Sequence, residues 1–239
     1  GVIDQWWGSH HFRVSGNTIR GAGFAKYGIL ATGTTTDNVA AGCHDFHISG
    51  NKVYDCISPI HLNGRSGINR NFHVDSNIIQ GAATYHGLYI SDSDTFTVAY
   101  NTVQNVPRVG ILLSRETPSV YACKNATVIG NIVLNANQLA SGSGSDGSGI
   151  VVNAGCDHIS LAANRVAGTT HTYAVWISPD AANIEVLGSD FDVGTLGLIY
   201  NGNTANKVPG GVQYTPTLTG ILDTGAVSAQ PCIDRKSVV

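Results

Sequence analysis

Three observations predict an all-β fold, a right-handed parallel β-helix (solenoid) of about seven coils. The first is a recurring phrase: FRVSGNTIRG from Phe12, FHISGNKVYDC from Phe46, FHVDSNIIQG from Phe72 and FTVAYNTVQN from Phe96. The second is another apolar phrase that follows each copy: YGILAT, SPIHLN, HGLYIS, VGILLS, SGIVVN and YAVWIS. The third is that the letters hold while the distance between copies does not. Internal repeats of this size mark a solenoid or array, in which each repeat contacts only its neighbours.

The register follows from one residue. Asn17, Asn51, Asn77, Asn101, Asn131 and Asn164 align, and Ser189 closes the series at steps of 34, 26, 24, 30, 33 and 25 residues. Five places earlier stand Phe12, Phe46, Phe72, Phe96, Ala126, Ile159 and Ile184; three earlier stand Val14, Ile48, Val74, Val98, Val128, Leu161 and Val186. Polar residues separate them, which is the period-2 signature of a strand. In the second strand the inward letters are Ile29, Ile60, Leu88, Ile111, Ile150 and Val175, then Ala31, Leu62, Ile90, Leu113, Val152 and Ile177. Constant strands and variable loops fit stacked coils, whose like residues pile up about 4.8 Å apart. The asparagine is expected to turn the corner after the first strand and to bond its copies above and below. An antiparallel sandwich also has short strands and turns, but it gives no reason for columns of one residue type.

Composition agrees. Of 239 residues only 12% are charged and 29 are glycine, which suits strands and turns better than helices. Met is absent, even at position 1, so the chain is expected to be a processed or trimmed segment of something longer. No apolar run approaches the roughly 18 residues of a membrane span, and no signal peptide is visible. Lys and Arg number 13 in a chain of formal charge -3, so nucleic acid is not an expected partner. Five cysteines exclude a complete disulfide framework. Cys43, Cys123 and Cys156 share a column with Ser9, Asn69, Ser93 and Ala181, all small, and are read as buried free thiols.

The form F-x-V-x-x-N-x-I followed by y-G-I-x-I resembles the pectin-lyase-like β-helix superfamily over residues 1 to about 200. The resemblance is most like a bacteriophage tailspike or polysaccharide depolymerase, so binding and depolymerisation of bacterial surface polysaccharide is the expectation, with glycoside hydrolysis favoured over lyase chemistry. The superfamily also holds lyases, hydrolases, epimerases and esterases. It implies a polysaccharide partner, a location outside the cell or on a virion tail, and a carbohydrate groove on the outward side of one sheet. Residues 201–239 leave the repeat, and VQYTPTLTG from Val212 resembles the phrase with which phage tail proteins enter a trimerisation region. A homotrimer is the corresponding expectation, with this segment serving oligomerisation or capping. A secreted pectate-lyase- or polygalacturonase-like enzyme, and a non-catalytic glycan-binding or structural β-helix, are the alternatives.

The second strand supplies the outward columns. One reads Leu30, His61, Tyr89, Leu112, Val151 and Trp176; the other reads Thr32, Asn63, Ser91, Ser114, Asn153 and Ser178. His86 opens the strand that carries Tyr89, and Arg65, Asp92, Asp94, Arg115 and Glu116 follow the strands. Hydrolysis of a glycosidic bond needs two carboxyl groups roughly 5 to 9 Å apart, and Asp92 or Asp94 with Glu116 are the candidates. His61, Arg65, His86, Tyr89, Arg115 and Trp176 are the candidate substrate contacts. A lyase would need a base and a cation instead, for which His61, Tyr89 and Arg115 could serve. No cofactor is expected; Asp92 and Asp94 could contribute to a Ca2+ site, but calcium usually takes six to eight oxygens. His10, His11, His44, His47 and His73 are read as surface residues, Trp6 and Trp7 as a cover for the open coil. The loop LASGSGSDGSG from Leu139 is expected to overhang the groove.

Overall fold

Each repeat folds as three short strands, not two, because the asparagine corner ends one strand and begins another. The computed structural model describes residues 3–6, 8–22, 25–33, 42–64, 67–82, 84–115, 121–139 and 144–208. Sheet 1 holds the phenylalanine strands: Arg13–Ser15, His44–Ser49, Asn69–Asp75, Ser93–Ala99, Lys124–Ile129, Asp157–Ala162 and Ala182–Leu187. Sheet 2 holds the short strands after the asparagine, from Thr18–Arg20 to Asp190–Phe191. Sheet 3 has eight strands: Ile3–Trp6, Tyr27–Thr32, Ser58–Asn63, Leu88–Ser91, Ile111–Ser114, Ile150–Val152, Tyr173–Ile177 and Gly197–Asn201. Every pairing between neighbouring coils is parallel. This is a parallel β-helix, and its crossovers take the right hand that twisted strands impose.

The core is a set of ladders. Phe12, Phe46, Phe72 and Phe96 stack with ring centroids 4.7, 4.6 and 4.9 Å apart and planes within 5° of parallel. Ala126, Ile159 and Ile184 continue that column, and the second-strand inward residues are buried at 1% exposure or less. The glycine of the G-I phrase has a packing reason. A Cβ on Gly87 would stand 2.3 Å from Val103 Cγ1, and one on Gly110 would stand 2.4 Å from Val133 Cγ1. Sheet 2 therefore packs its valines against bare backbone at the entry to the sheet 3 strands.

The asparagine ladder is complete. Its side-chain amides link Asn17 to Asn51, Asn77, Asn101, Asn131 and Asn164 at 2.9 to 3.0 Å. Ser189 ends it by accepting the Asn164 backbone N–H at 3.1 Å. The sharp bend, however, belongs to the residue before each asparagine. Gly50, Ser76, Tyr100, Gly130 and Ala163 hold φ of 63, 56, 54, 65 and 49°, the left-handed region that glycine enters at least cost.

Cys43, Cys56, Cys123 and Cys156 are buried free thiols. Burial pushes the Cys43 thiol up to about 11 and that of Cys123 upward as well, so both stay protonated and unreactive. Trp6 lies in a strand paired to Tyr27–Thr32 and extends sheet 3; Trp7 lies outside the described residues. No helix among the described residues is long and apolar enough to cross a membrane.

Candidate functional site

The outer face of sheet 3 carries the predicted column in the predicted register: Leu30, His61, Tyr89, Leu112, Val151 and Trp176, extended by Tyr200. Parallel pairing sets like positions side by side, so rings on successive coils meet. His61 stacks on Tyr89 at 4.5 Å, and Tyr27 leans on His61 at 4.7 Å. Farther along, Trp176 and Tyr200 stack at 5.4 Å with planes 6° apart and remain half-buried.

The middle of this face is not the open platform that the sequence implies. His61 is 7% exposed and Tyr89 6%, and Tyr89, Val109, Leu112 and Val151 form a small apolar cluster outside the helix core. Segments that lead into the strands fold back over the face, placing Tyr85 and His86 rings 6.3 and 6.0 Å from Tyr89. His86 is buried, with Nδ1 unpartnered among the described residues, and burial drives its pKa down to about 3, aided by the nearby Arg108 cation. Its imidazole is neutral at physiological pH.

What remains open is a rim built by three consecutive coils. Tyr85 is exposed, Arg108 lies over its ring at 6.0 Å, and Asp146 pairs with Arg108 at 3.2 Å. Asp146 belongs to the 3-10 turn Gly144–Gly147, so part of the glycine-serine loop does reach the edge of this face. Lys26, over the ring of Tyr27 at 5.2 Å, extends the rim toward the first coils. Tyr85 and Arg108 hold one repeat position, immediately before HGLYIS and VGILLS. That column, Lys26, Tyr85, Arg108, is legible in the sequence but lies outside the strand phrases.

The carboxylates fall differently. Asp92 alone makes the corner between Leu88–Ser91 and Ser93–Ala99; it has φ of 48° and 0% exposure. The corner is tight enough for the Asp92 carbonyl to accept the Asn69 N–H at 3.1 Å. Asp94 is the second residue of a sheet 1 strand, where Asn125 donates to it at 2.7 Å and Thr95 at 3.2 Å. Arg115 is exposed just past its strand, while Glu116 and Arg65 lie outside the described residues. Neither Asp92 nor Asp94 therefore stands on the outer face of sheet 3, and Glu116, their expected partner, lies outside the described residues. Among the described residues no group of three or more His, Cys, Asp or Glu is placed to hold a metal ion.

Comparison with known proteins places the fold. A family profile described as right handed beta helix region matches residues 1–191. The chain belongs to that right-handed β-helix family. A search of curated proteins found no match.

Proposed function

We propose that the chain is a tailspike-like protein that binds bacterial surface polysaccharide along the rim and outer face of sheet 3. The observation that carries this reading is the rim itself. Tyr85 offers an apolar ring face, and Arg108 and Asp146 beside it offer directed hydrogen bonds. Trp176 and Tyr200 form a second aromatic patch about 14 Å away, three coils at strand spacing from Tyr89. A long polymer can span both patches, whereas a small ligand would fill only one.

Binding is better supported than cleavage. Hydrolysis needs two carboxyl groups roughly 5 to 9 Å apart, and Asp92 is sealed in a corner while Asp94 serves sheet 1. The extracellular or virion-tail location and the homotrimer belong to the same proposal. They rest on the family resemblance and on VQYTPTLTG, which lies outside the described residues. The test is incubation with a panel of capsular and O-antigen polysaccharides. Retention without new reducing ends or uronate absorbance is the expected result; fragments would restore the depolymerase reading. Light scattering that gives a monomer would remove the trimer.

A further inference from the structure

The outer face of sheet 1 plays no part in the rim, and its chemistry differs. One in-register row reads His47, His73, Thr97, Thr127, Ser160 and Glu185. Beside it runs Asp45, Asn71, Thr95, Asn125, His158 and Asn183, whose φ values are 54, 52, 55, 50, 53 and 54°. The corresponding residue of six of the seven strands is thus turned left-handed, which kinks each of them at one level, as a bulge does.

The kink dishes the face. A cavity of about 440 Å³ runs from Asp45 to Thr127, and another of about 320 Å³ runs from Asn125 to Glu185. They share Asn125 and Thr127, so they form one trough. Six coils give it a length of about 24 Å at strand spacing.

Its polar groups are only partly used. Asn71, Asn125 and Asn183 each donate to an aspartate on the preceding coil, at 3.2, 2.7 and 2.8 Å. The side chains of Thr97, Thr127 and Ser160 make no hydrogen bond among the described residues, although all three are half-buried. A row of hydroxyls in a dished surface is left to water or to a ligand.

The lining selects the ligand class. It holds no Lys or Arg and includes the carboxylates of Asp45 and Glu185, so a polyanion laid in it meets like charge; Arg13 and Lys207 stand only at its two ends, in register with His47 and Glu185. Phe72 and Phe96 lie beneath it at 1% and 4% exposure, so neither phenylalanine offers a ring face for stacking. A sheet face has no free strand edge to extend with a peptide. Amides, hydroxyls and imidazoles both donate and accept, which suits an uncharged polymer rich in hydroxyls. We propose that this trough is a second glycan site, which takes a neutral oligosaccharide laid along the helix axis and works independently of the sheet 3 rim.

Calorimetric titration of the whole protein tests this, with cellohexaose, xylohexaose, mannohexaose and maltohexaose as probes and hexagalacturonate as the anionic control. At least one neutral hexaose should bind with Kd below about 1 mM, and hexagalacturonate should not compete. Thr127→Trp, placed where the two cavities meet, should weaken binding tenfold or more. Ser160→Trp on the next coil should do the same if Thr127→Trp fails to fold by circular dichroism. Tyr85→Ala should leave this affinity unchanged. The proposal is overturned if no neutral hexaose reaches that affinity, if hexagalacturonate competes, if binding survives the folded tryptophan variants, or if Tyr85→Ala abolishes it.

Discussion

Asn77 donates one amide hydrogen forward to the side-chain oxygen of Asn101 and the other back to the Ile48 carbonyl, each at 2.9 Å. Its own side-chain oxygen accepts both the backbone N–H and the amide of Asn51, each at 3.0 Å. One fully buried side chain therefore ties three coils together. Asn77→Ala would leave donors on Asn51 unsatisfied inside the core, and should cost roughly 3 kcal/mol. Asn17→Ala, at the half-buried end of the ladder, should cost about 1 kcal/mol. Urea unfolding midpoints at unchanged m-value measure the contrast.

The phenylalanine stack gives a second contrast. Phe72 is packed between Phe46 and Phe96 at 4.6 and 4.9 Å and is 1% exposed. Phe72→Ala empties a layer that stacked neighbours cannot refill, and should cost roughly 3 to 5 kcal/mol. Phe12 has a ring on one side only and is half-buried, so Phe12→Ala should cost less. Equal losses would show that the stack does not act layer by layer.

Asp92 and Asp94 should separate cleanly in a stability measurement. Asp92 is buried in a left-handed corner, a conformation that β-branched side chains resist, so Asp92→Val should cost at least about 1 kcal/mol. Asp94 bonds to Asn125 on a half-exposed surface, and Asp94→Ala should stay within about 0.5 kcal/mol. Matching melting temperatures for these two variants would contradict the placement of Asp92.

These contrasts also show what was legible in the sequence. The coils, the inward columns and the register of the outward column were readable, because every coil must repeat the same buried letters. Asp92 was not, since a turn aspartate reads alike whether its corner is one residue long or ten. Burial of His61 and Tyr89 was equally hidden, because it depends on where the preceding segments fold back. The bend at Gly50 and Ser76 was assigned to the neighbouring asparagine, since both residues tolerate turns and only the backbone distinguishes them.

His86 predicts an acid dependence. Its folded pKa is about 3, set mainly by burial, against 6.5 for an exposed imidazole. Below pH 6.5 the unfolded chain takes up a proton that the native state refuses. Stability should then fall as pH drops toward 3, by up to about 1.4 kcal/mol per unit. Moving from pH 7.5 to pH 5 should cost roughly 2 kcal/mol, and His86→Phe should flatten that slope. Denaturant unfolding across this range checks it; a parent slope no steeper than that of His86→Phe would contradict the burial of His86.

The most direct test of the functional account is the affinity of rim variants for whichever capsular or O-antigen polysaccharide the parent retains. Affinity electrophoresis, with melting temperature recorded alongside, is the measurement. Tyr85→Ala removes the exposed ring and Arg108→Gln removes the cation above it. Each should weaken retention by about tenfold, or about 1.4 kcal/mol, while the melting temperature stays close to that of the parent. Retention equal to that of the parent in both folded variants, or no retained polysaccharide at all, would contradict a glycan site on the rim of sheet 3.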